Sequence, residues 1–257
     1  LLAVSAGVAG AEEPIRIGHS VSLTGGSSMW GLAEQNALDM LVEEINAAGG
    51  VLGRPLELIH YDNRGDAVES VNVARRLVDD GVVAVIGPAQ SGNSIASAPV
   101  FENAGIPMVV TTATNPYVTI DQRSGKVRPF AFRPCFIDPF QGTVAARFAV
   151  TDLGAKKGAI LYDVGSDYGQ WLAKYFEEAF VEKGGAIVAK EAFRTDELDY
   201  RAQLGKMKDL APDVIFIPTS QKEAAMAAKQ ARDLGIGAVL LGTDNWGSPD
   251  IIELGGS

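Results

Sequence analysis

Cysteine, histidine and positive charge are all scarce in this chain. Cys135 is the single cysteine in 257 residues, so no intrachain disulfide is available and stability must come from packing. Lys and Arg number 22 against 32 Asp and Glu, a formal net charge of -10, which argues against a nucleic-acid partner. The two histidines, His19 and His60, have no partner at metal-ligand spacing. No apolar run after the N-terminus reaches the ~18 residues of a membrane-spanning helix. Neither G-x-x-x-x-G-K-[ST] nor G-x-G-x-x-G occurs. No G-x-S-x-G elbow occurs, and the run DNRGD at 62–66 has its glycine in the wrong place for an EF-hand loop. His19 reads as a packed residue, and His60 as a partner for the nearby Asp62. Cys135, between Pro134 and Phe136, reads as a buried structural thiol. No paired constellation supports nucleophilic or acid–base catalysis, and nothing calls for a cofactor or a metal.

Apolar residues, at 47%, are plentiful. They suffice for one large or two medium α/β units. Residues 15–21, 56–61, 82–86 and 107–111 read as strands. Residues 32–48, 68–78 and 93–103 read as helices, the first stopped by Gly49-Gly50 and the third by Gly105. The segment 117–134 has no clean periodicity beyond a short strand at 130–133. Alternation then resumes, with helices at 141–152, 168–183, 200–210 and 222–234 and strands at 159–162, 187–193, 214–218 and 238–241. Strand–helix alternation with short loops predicts doubly wound parallel sheet. The irregular middle predicts two such lobes joined by crossing segments. The first residues, LLAVSAGVAGAEEP, are small and apolar, and Ala9-Gly10-Ala11 fits a small-x-small cleavage site; without a basic start, this reads as the tail of a secretory signal.

The stretch VIGPAQSGNSIASAPVFENAGIPMVVTTATNP, residues 85–116, ends two successive strands in uncharged loops rich in hydroxyls. In open parallel sheets, ligands bind beyond the carboxyl ends of the strands, where both loops sit. Ser91 and Thr114 offer hydroxyl donors. Gly92, Asn93 and Ser94 open the next helix, so their N–H groups carry the positive end of its dipole and suit a carboxylate or phosphate. The alternative is plain N-capping by Ser91 or Asn93. With no Lys or Arg in either loop, carboxylate fits better than phosphate. Asp244, in LLGTDNWGSP, follows the last strand, where it either accepts from a ligand ammonium or is a solvated turn residue. Trp30 and Trp246 stand beside glycine as pocket walls or as ordinary packing.

Six stretches then carry a family resemblance: IRIGHSVSLTGGSSMWG, LVEEINAAGGVLGRPLELIHYDNRGD, VAVIGPAQSG, AGIPMVVTTATNP, YDVGSDYGQ and LLGTDNWGSPD. In this order they resemble the type I periplasmic solute-binding proteins, close to the leucine/isoleucine/valine-binding group of ABC importers. The resemblance implies an α/β fold of two Rossmann-like lobes with parallel sheets, joined by hinge strands and closing on a ligand in the cleft. It implies a signal remnant at 1–11, a first lobe at 12–120 completed from about 248 onward and by further chain, and a second lobe at 121–247. It implies an amino acid, aliphatic or branched-chain, as ligand, a membrane permease as partner, a periplasmic location and no cofactor. A non-amino-acid carboxylate, an aromatic acid or an amide is the alternative ligand, and a ligand-sensing ectodomain the alternative role. Residue by residue, Ser91, with Gly92 beside it, and Thr114 match the carboxylate holders. Thr112, with Ala113 beside it, sits where a backbone carbonyl accepts from the ammonium. Trp30 matches an aromatic at the cleft mouth, Tyr168 a tyrosine that closes from the second lobe, and Asp244 a glutamate that pairs with the ammonium. Two departures stand out. Asp244 is shorter than glutamate, and Ser220, in PTSQ, stands where some relatives carry an aromatic, which implies a larger or more polar side-chain pocket. The chain also ends well before such proteins usually end, so the resemblance places the rest of the first lobe beyond Ser257 and implies exposed apolar surface.

Overall fold

Strands and helices alternate through two parallel sheets in a computed structural model that describes residues 13–247 and 250–255. The expected signal remnant at 1–11 lies outside the described residues. The first sheet holds β1 (Ile15–Val21), β2 (Leu56–Asp62), β3 (Ala84–Ile86), β4 (Met108–Val109) and β5 (Ala131–Phe132), in the order β2-β1-β3-β4-β5. The second holds β6 (Lys157–Asp163), β7 (Ala186–Phe193), β8 (Val214–Phe216) and β9 (Val239–Leu241), in the order β7-β6-β8-β9. Every pairing between these strands is parallel. The helices are α1 (Ser28–Ala47), α2 (Ala67–Asp79), α3 (Ser91–Ala104), α4 (Asp138–Thr151), α5 (Asp167–Glu182), α6 (Arg201–Leu210), α7 (Gln221–Asp233) and α8 (Asp250–Gly255).

Local chemistry sets these elements. α2 starts where the Asp66 carboxylate accepts from the Glu69 N–H at 2.7 Å, a side-chain N-cap. Its Val73, Ala74 and Leu77 then fall on one face and pack with Val85, Phe101 and Met108 into the core of the first lobe. α3 ends at Gly105, whose φ of 68° is left-handed and suits glycine. There the Ile106 N–H returns to the Phe101 carbonyl at 2.9 Å, closing the last turn. In the second lobe the two-residue period of β6 divides the core. Ala159 and Leu161 face Leu204, Met207 and Ala231, whereas Ile160 faces Leu172, Phe176 and Phe180. Phe176 stacks on Phe216 with ring centroids 4.3 Å apart. α1 differs from the other long helices: Leu32, Met40 and Leu41 are exposed on it, as are Phe132, Phe140 and Phe148 elsewhere.

The expected elements are present, with shifted ends. α1 and α4 begin earlier than the periodicity indicates, at Ser28 and Asp138. Pro139 sits in the first turn of α4, where a missing N–H costs nothing. β4 and β8 are shorter than expected; Pro107, which has no N–H to give a ladder, lies just before β4, and Pro218 lies just beyond β8. β5 keeps the chain in the first sheet as far as Phe132, so it crosses to the second lobe at 133–137, later than residue 121. α8 lies against α7 of the second lobe, where a Cβ on Gly255 would come 3.6 Å from the Ala225 carbonyl oxygen; residues 250–255 therefore pack on the second lobe.

Candidate ligand-binding site

Each sheet order contains a point where successive crossovers go opposite ways, between β1 and β3 in the first lobe and between β6 and β8 in the second. Crevices open outside the carboxyl ends of strands at such points. In the first lobe, Ser91 is the first residue of α3. Its hydroxyl does not cap the helix, and neither does Asn93; Gln90 is the N-cap, and its side chain makes no capping bond to the helix backbone. The capping reading is therefore corrected. Asn93 instead donates to the Gln90 side chain at 3.3 Å. The Ser91 oxygen accepts from the Asn115 N–H at 3.2 Å, which ties the two hydroxyl-rich loops together and leaves the Ser91 proton to donate. Thr114 is buried and its hydroxyl has no hydrogen-bond partner. The Ala113 carbonyl accepts from Arg133 at 3.3 Å, and the exposed Thr112 hydroxyl donates to the Ala89 carbonyl at 3.3 Å.

The second lobe faces this set through the start of α5 and the turn after β9. The Tyr168 hydroxyl donates to Asp244 Oδ1 at 2.5 Å, and Gln141 Nε2 donates to the same oxygen at 2.8 Å. Burial and the Asp244 charge push the Tyr168 phenol well above its ordinary pKa, so it stays a donor. The lobes also meet directly. Asn115 Nδ2 donates to the Asp167 carbonyl at 3.5 Å. Tyr117 meets Trp171 edge to face at 4.9 Å. A Cβ on Gly92 would come within 3.0 Å of Asp167 Oδ2, so the absence of a side chain at 92 makes room for that carboxylate. Trp30 is half-exposed on the first turn of α1. It lies one turn before Glu34, which accepts from the Thr111 hydroxyl, so it stands on the helix face turned to the 111–115 loop.

Asp138 joins the two halves, and the sequence reading missed it. Its N–H donates to the Thr114 carbonyl at 3.0 Å. Its side chain is fully buried, makes no well-aligned hydrogen bond, and has the Thr114 hydroxyl as its polar neighbour. Burial raises its pKa to about 7, with the Asp244 charge adding to the rise, while the neighbouring Thr114 hydroxyl and the Arg133 guanidinium oppose it. An unpaired carboxyl in such a place accepts strongly from any cation that enters. The one sequence signal at this position, Asp before Pro at a helix start, is shared by ordinary helix N-termini.

The site therefore combines hydroxyls (Ser91, Thr114) at the α3 N-terminus with two carboxyls, Asp138 beside Thr114 and Asp244 beside Tyr168. That arrangement suits one anionic and one cationic group on the same small molecule. Among the described residues, no group of three or more His, Cys, Asp or Glu is placed to hold a metal, and no helix is long and apolar enough to cross a membrane. Two further expectations are corrected. His60 pairs with Asp39 at 3.0 Å and with His19 at 2.8 Å, not with Asp62. Asp62 instead binds Leu23, Thr24 and Arg64, and these bonds outweigh its burial and hold its carboxyl below the ordinary value. Cys135 is only partly buried; its Sγ lies 3.8 Å from the Ala113 carbonyl, and burial raises its thiol pKa. Trp246 is packed against the core on the α6 and α7 side and lies over Gly242.

Two parallel-sheet α/β lobes with a polar cleft between their strand ends define the architecture of a type I periplasmic binding protein. The chain belongs to the periplasmic binding protein family, whose sequence profile matches residues 14–257. It is 31% identical to the Leu/Ile/Val-binding protein BraC3 of Rhizobium johnstonii, over 95% of this chain and 65% of that protein. Among solved structures it is similar to a leucine-binding protein from Thermotoga maritima, with a TM-score of 0.88 and 37% identity over 95% of this chain and 67% of that one. It is also similar to a branched-chain amino acid substrate-binding protein from Streptococcus pneumoniae in complex with isoleucine, with a TM-score of 0.85 and 33% identity over 94% of this chain and 67% of that one. The chain thus spans slightly less than two thirds of the first curated relatives it matches.

Proposed function

We propose that this chain is the ligand-capturing part of an extracytoplasmic receptor that serves an ABC importer, and that its ligand is an amino acid of the aliphatic or branched-chain class. The observation that carries this reading is that the Ser91 and Thr114 hydroxyls at the α3 N-terminus face a second lobe that presents the Asp244 carboxylate beside Tyr168. Ser91, Gly92, Thr112, Ala113 and Thr114 hold the ligand carboxylate end at the α3 N-terminus and accept from its ammonium, with Trp30 at the mouth. Asp138 and Asp244 neutralise the ammonium, and Tyr168 closes from the second lobe. Binding favours the closed arrangement of the lobes, which a membrane permease in turn recognises from the periplasm. No bond in the ligand is made or broken. The names of the relatives support the ligand class. A relative 25% identical was solved with 4-hydroxybenzoate. A plain carboxylate of that kind leaves Asp138 and Asp244 facing no cation here, which favours the amino acid.

A thermal-shift panel of the twenty amino acids and a set of simple carboxylates tests this. A ligand at a hundred times its dissociation constant adds about 2.7 kcal/mol of stability. Shifts with amino acids alone support the reading. Shifts only with carboxylates that lack an amine move the function to an organic-acid receptor.

A further inference from the structure

We infer that His19 is a proton-operated fastener: uptake of one proton at its Nε2 closes an ion pair with Glu34, and so tightens α1 and the 111–115 loop onto the first sheet in mildly acidic conditions. The inference needs no assumption about the ligand. β1 and β2 pair with His19 directly opposite His60, so both side chains leave the sheet on one face. The rings meet edge to face, with their Nδ1 atoms 2.8 Å apart. α1 lies over that face, and all its charged residues are acids: Glu34, Asp39, Glu43 and Glu44. Asp39 Oδ1 is 3.0 Å from His60 Nε2, and Glu34 Oε2 is 3.9 Å from His19 Nε2. From the loop after β3 the neighbour is uncharged: a Cβ on Gly87 would come 3.8 Å from His19 Cδ2. Arg16 of β1 is engaged by Glu57 and the Asp80 carbonyl, and Asp62 of β2 by Leu23, Thr24 and Arg64.

Counting donors and acceptors places the hydrogens. A carboxylate only accepts, so Asp39 fixes the proton of neutral His60 on Nε2. The His60 Nδ1 is then bare and accepts from the His19 Nδ1–H. Neutral His19 is left with a bare Nε2 turned to Glu34 Oε2, acceptor against acceptor. Both of these atoms are buried without a hydrogen-bond partner, as this count requires. The other Glu34 oxygen accepts from the Thr111 hydroxyl. One proton added at His19 Nε2 turns the two facing acceptors into a charge-assisted contact and breaks none of the other bonds. Burial disfavours an isolated imidazolium, but this charge arrives beside a carboxylate oxygen that is itself buried and short of a donor. A second proton on the pair has no place, because it would set two N–H groups against each other across 2.8 Å. Glu34 belongs to α1, His19 to β1, and Thr111 to the loop that leads to Thr114, so the ion pair joins three segments. Imidazoles titrate near neutral pH. The stability contributed by the pair is present in acid and is lost as pH rises through that range.

The test is nitrogen-15 NMR of the imidazoles across pH on the full chain, which holds these two histidines alone; His60→Gln assigns the signals. At high pH, His19 should carry its proton on Nδ1 and His60 on Nε2. On acidification His19 should become doubly protonated first, while His60 keeps its neutral pattern. In Glu34→Gln, His19 should remain singly protonated at the pH where half of the wild type has taken up the second proton. The gain in melting temperature from about pH 8 to about pH 6 should also shrink in that variant. Those melts are compared in an Asp138→Asn background, because Asp138 titrates in the same range. The opposite tautomers, or His60 taking up the proton first, overturn the inference, as does a Glu34→Gln protein in which His19 titrates like the wild type. Should Glu34→Gln fail to fold, the tautomers and the order of uptake in the wild type decide the matter.

Discussion

The backbone N–H of Asp138 donates to the Thr114 carbonyl at 3.0 Å, so the first turn of α4 is fastened to the loop that follows β4. The most buried carboxyl of the cleft thus sits beside its least satisfied hydroxyl, on the segment where the chain passes from one sheet to the other.

Asp138 should make both stability and binding depend on pH. Its pKa rises from 3.8 to about 7 on folding, so the native state holds a proton that the unfolded state has released between those values. The contribution of this group to stability is therefore full below the unfolded value and is lost as pH rises through the native one. Ligand-free stability should fall between about pH 4 and about pH 7, and Asp138→Asn should flatten that fall. An ammonium beside Asp138 favours its ionised form. Binding should then release a proton near neutral pH, seen as a dependence of the calorimetric heat on buffer ionisation enthalpy. No such dependence in wild type removes Asp138 from the ammonium site.

Ser91→Ala and Thr114→Ala should each weaken amino-acid binding by about 1–3 kcal/mol, because a buried carboxylate loses a donor. Titration calorimetry at fixed pH reads this directly. Unchanged affinity in both variants moves the carboxylate away from the α3 N-terminus.

Asp244 carries a charge that two neutral donors, Tyr168 and Gln141, orient on one oxygen. Asp244→Asn should weaken amino acids more than carboxylates lacking an amine. Equal losses for both ligand types take Asp244 out of the ammonium role. Tyr168→Phe should cost about 1–2 kcal/mol of affinity by leaving that oxygen with one donor fewer.

Phe176 is fully buried and stacks on both Phe180 and Phe216. Phe176→Ala should destabilise the second lobe by about 3–5 kcal/mol. Urea unfolding should show this as a lower midpoint; an unshifted midpoint means the core has closed over the gap.

Much of the scaffold was legible in the sequence because its signals are local. Buried strands such as β6 read as short apolar runs. The turn of α3 into β4 is marked by a glycine with φ of 68°. The loops holding Ser91 and Thr114 announced themselves as hydroxyl clusters after two strands in a row. Asp138 did not, since its burial is made by the loop carrying Thr114, the turn carrying Asp244 and the guanidinium of Arg133, none of them adjacent to it in sequence. His60 was misread for the opposite reason. Asp62 is near it in sequence, but the N–H groups of Leu23, Thr24 and Arg64 claim that carboxylate, and α1 supplies Asp39 from farther away.

The edge-to-face contact of Tyr117 with Trp171 joins the lobes through residues outside the assigned ligand set. In the proposed closure of the lobes its strength adds to the closed state whatever the guest, so changing it scales every apparent affinity by one common factor. Under the proposed function, tightness and selectivity are thereby separate dials: the aromatic seam sets how readily the lobes shut, and the cleft decides on what.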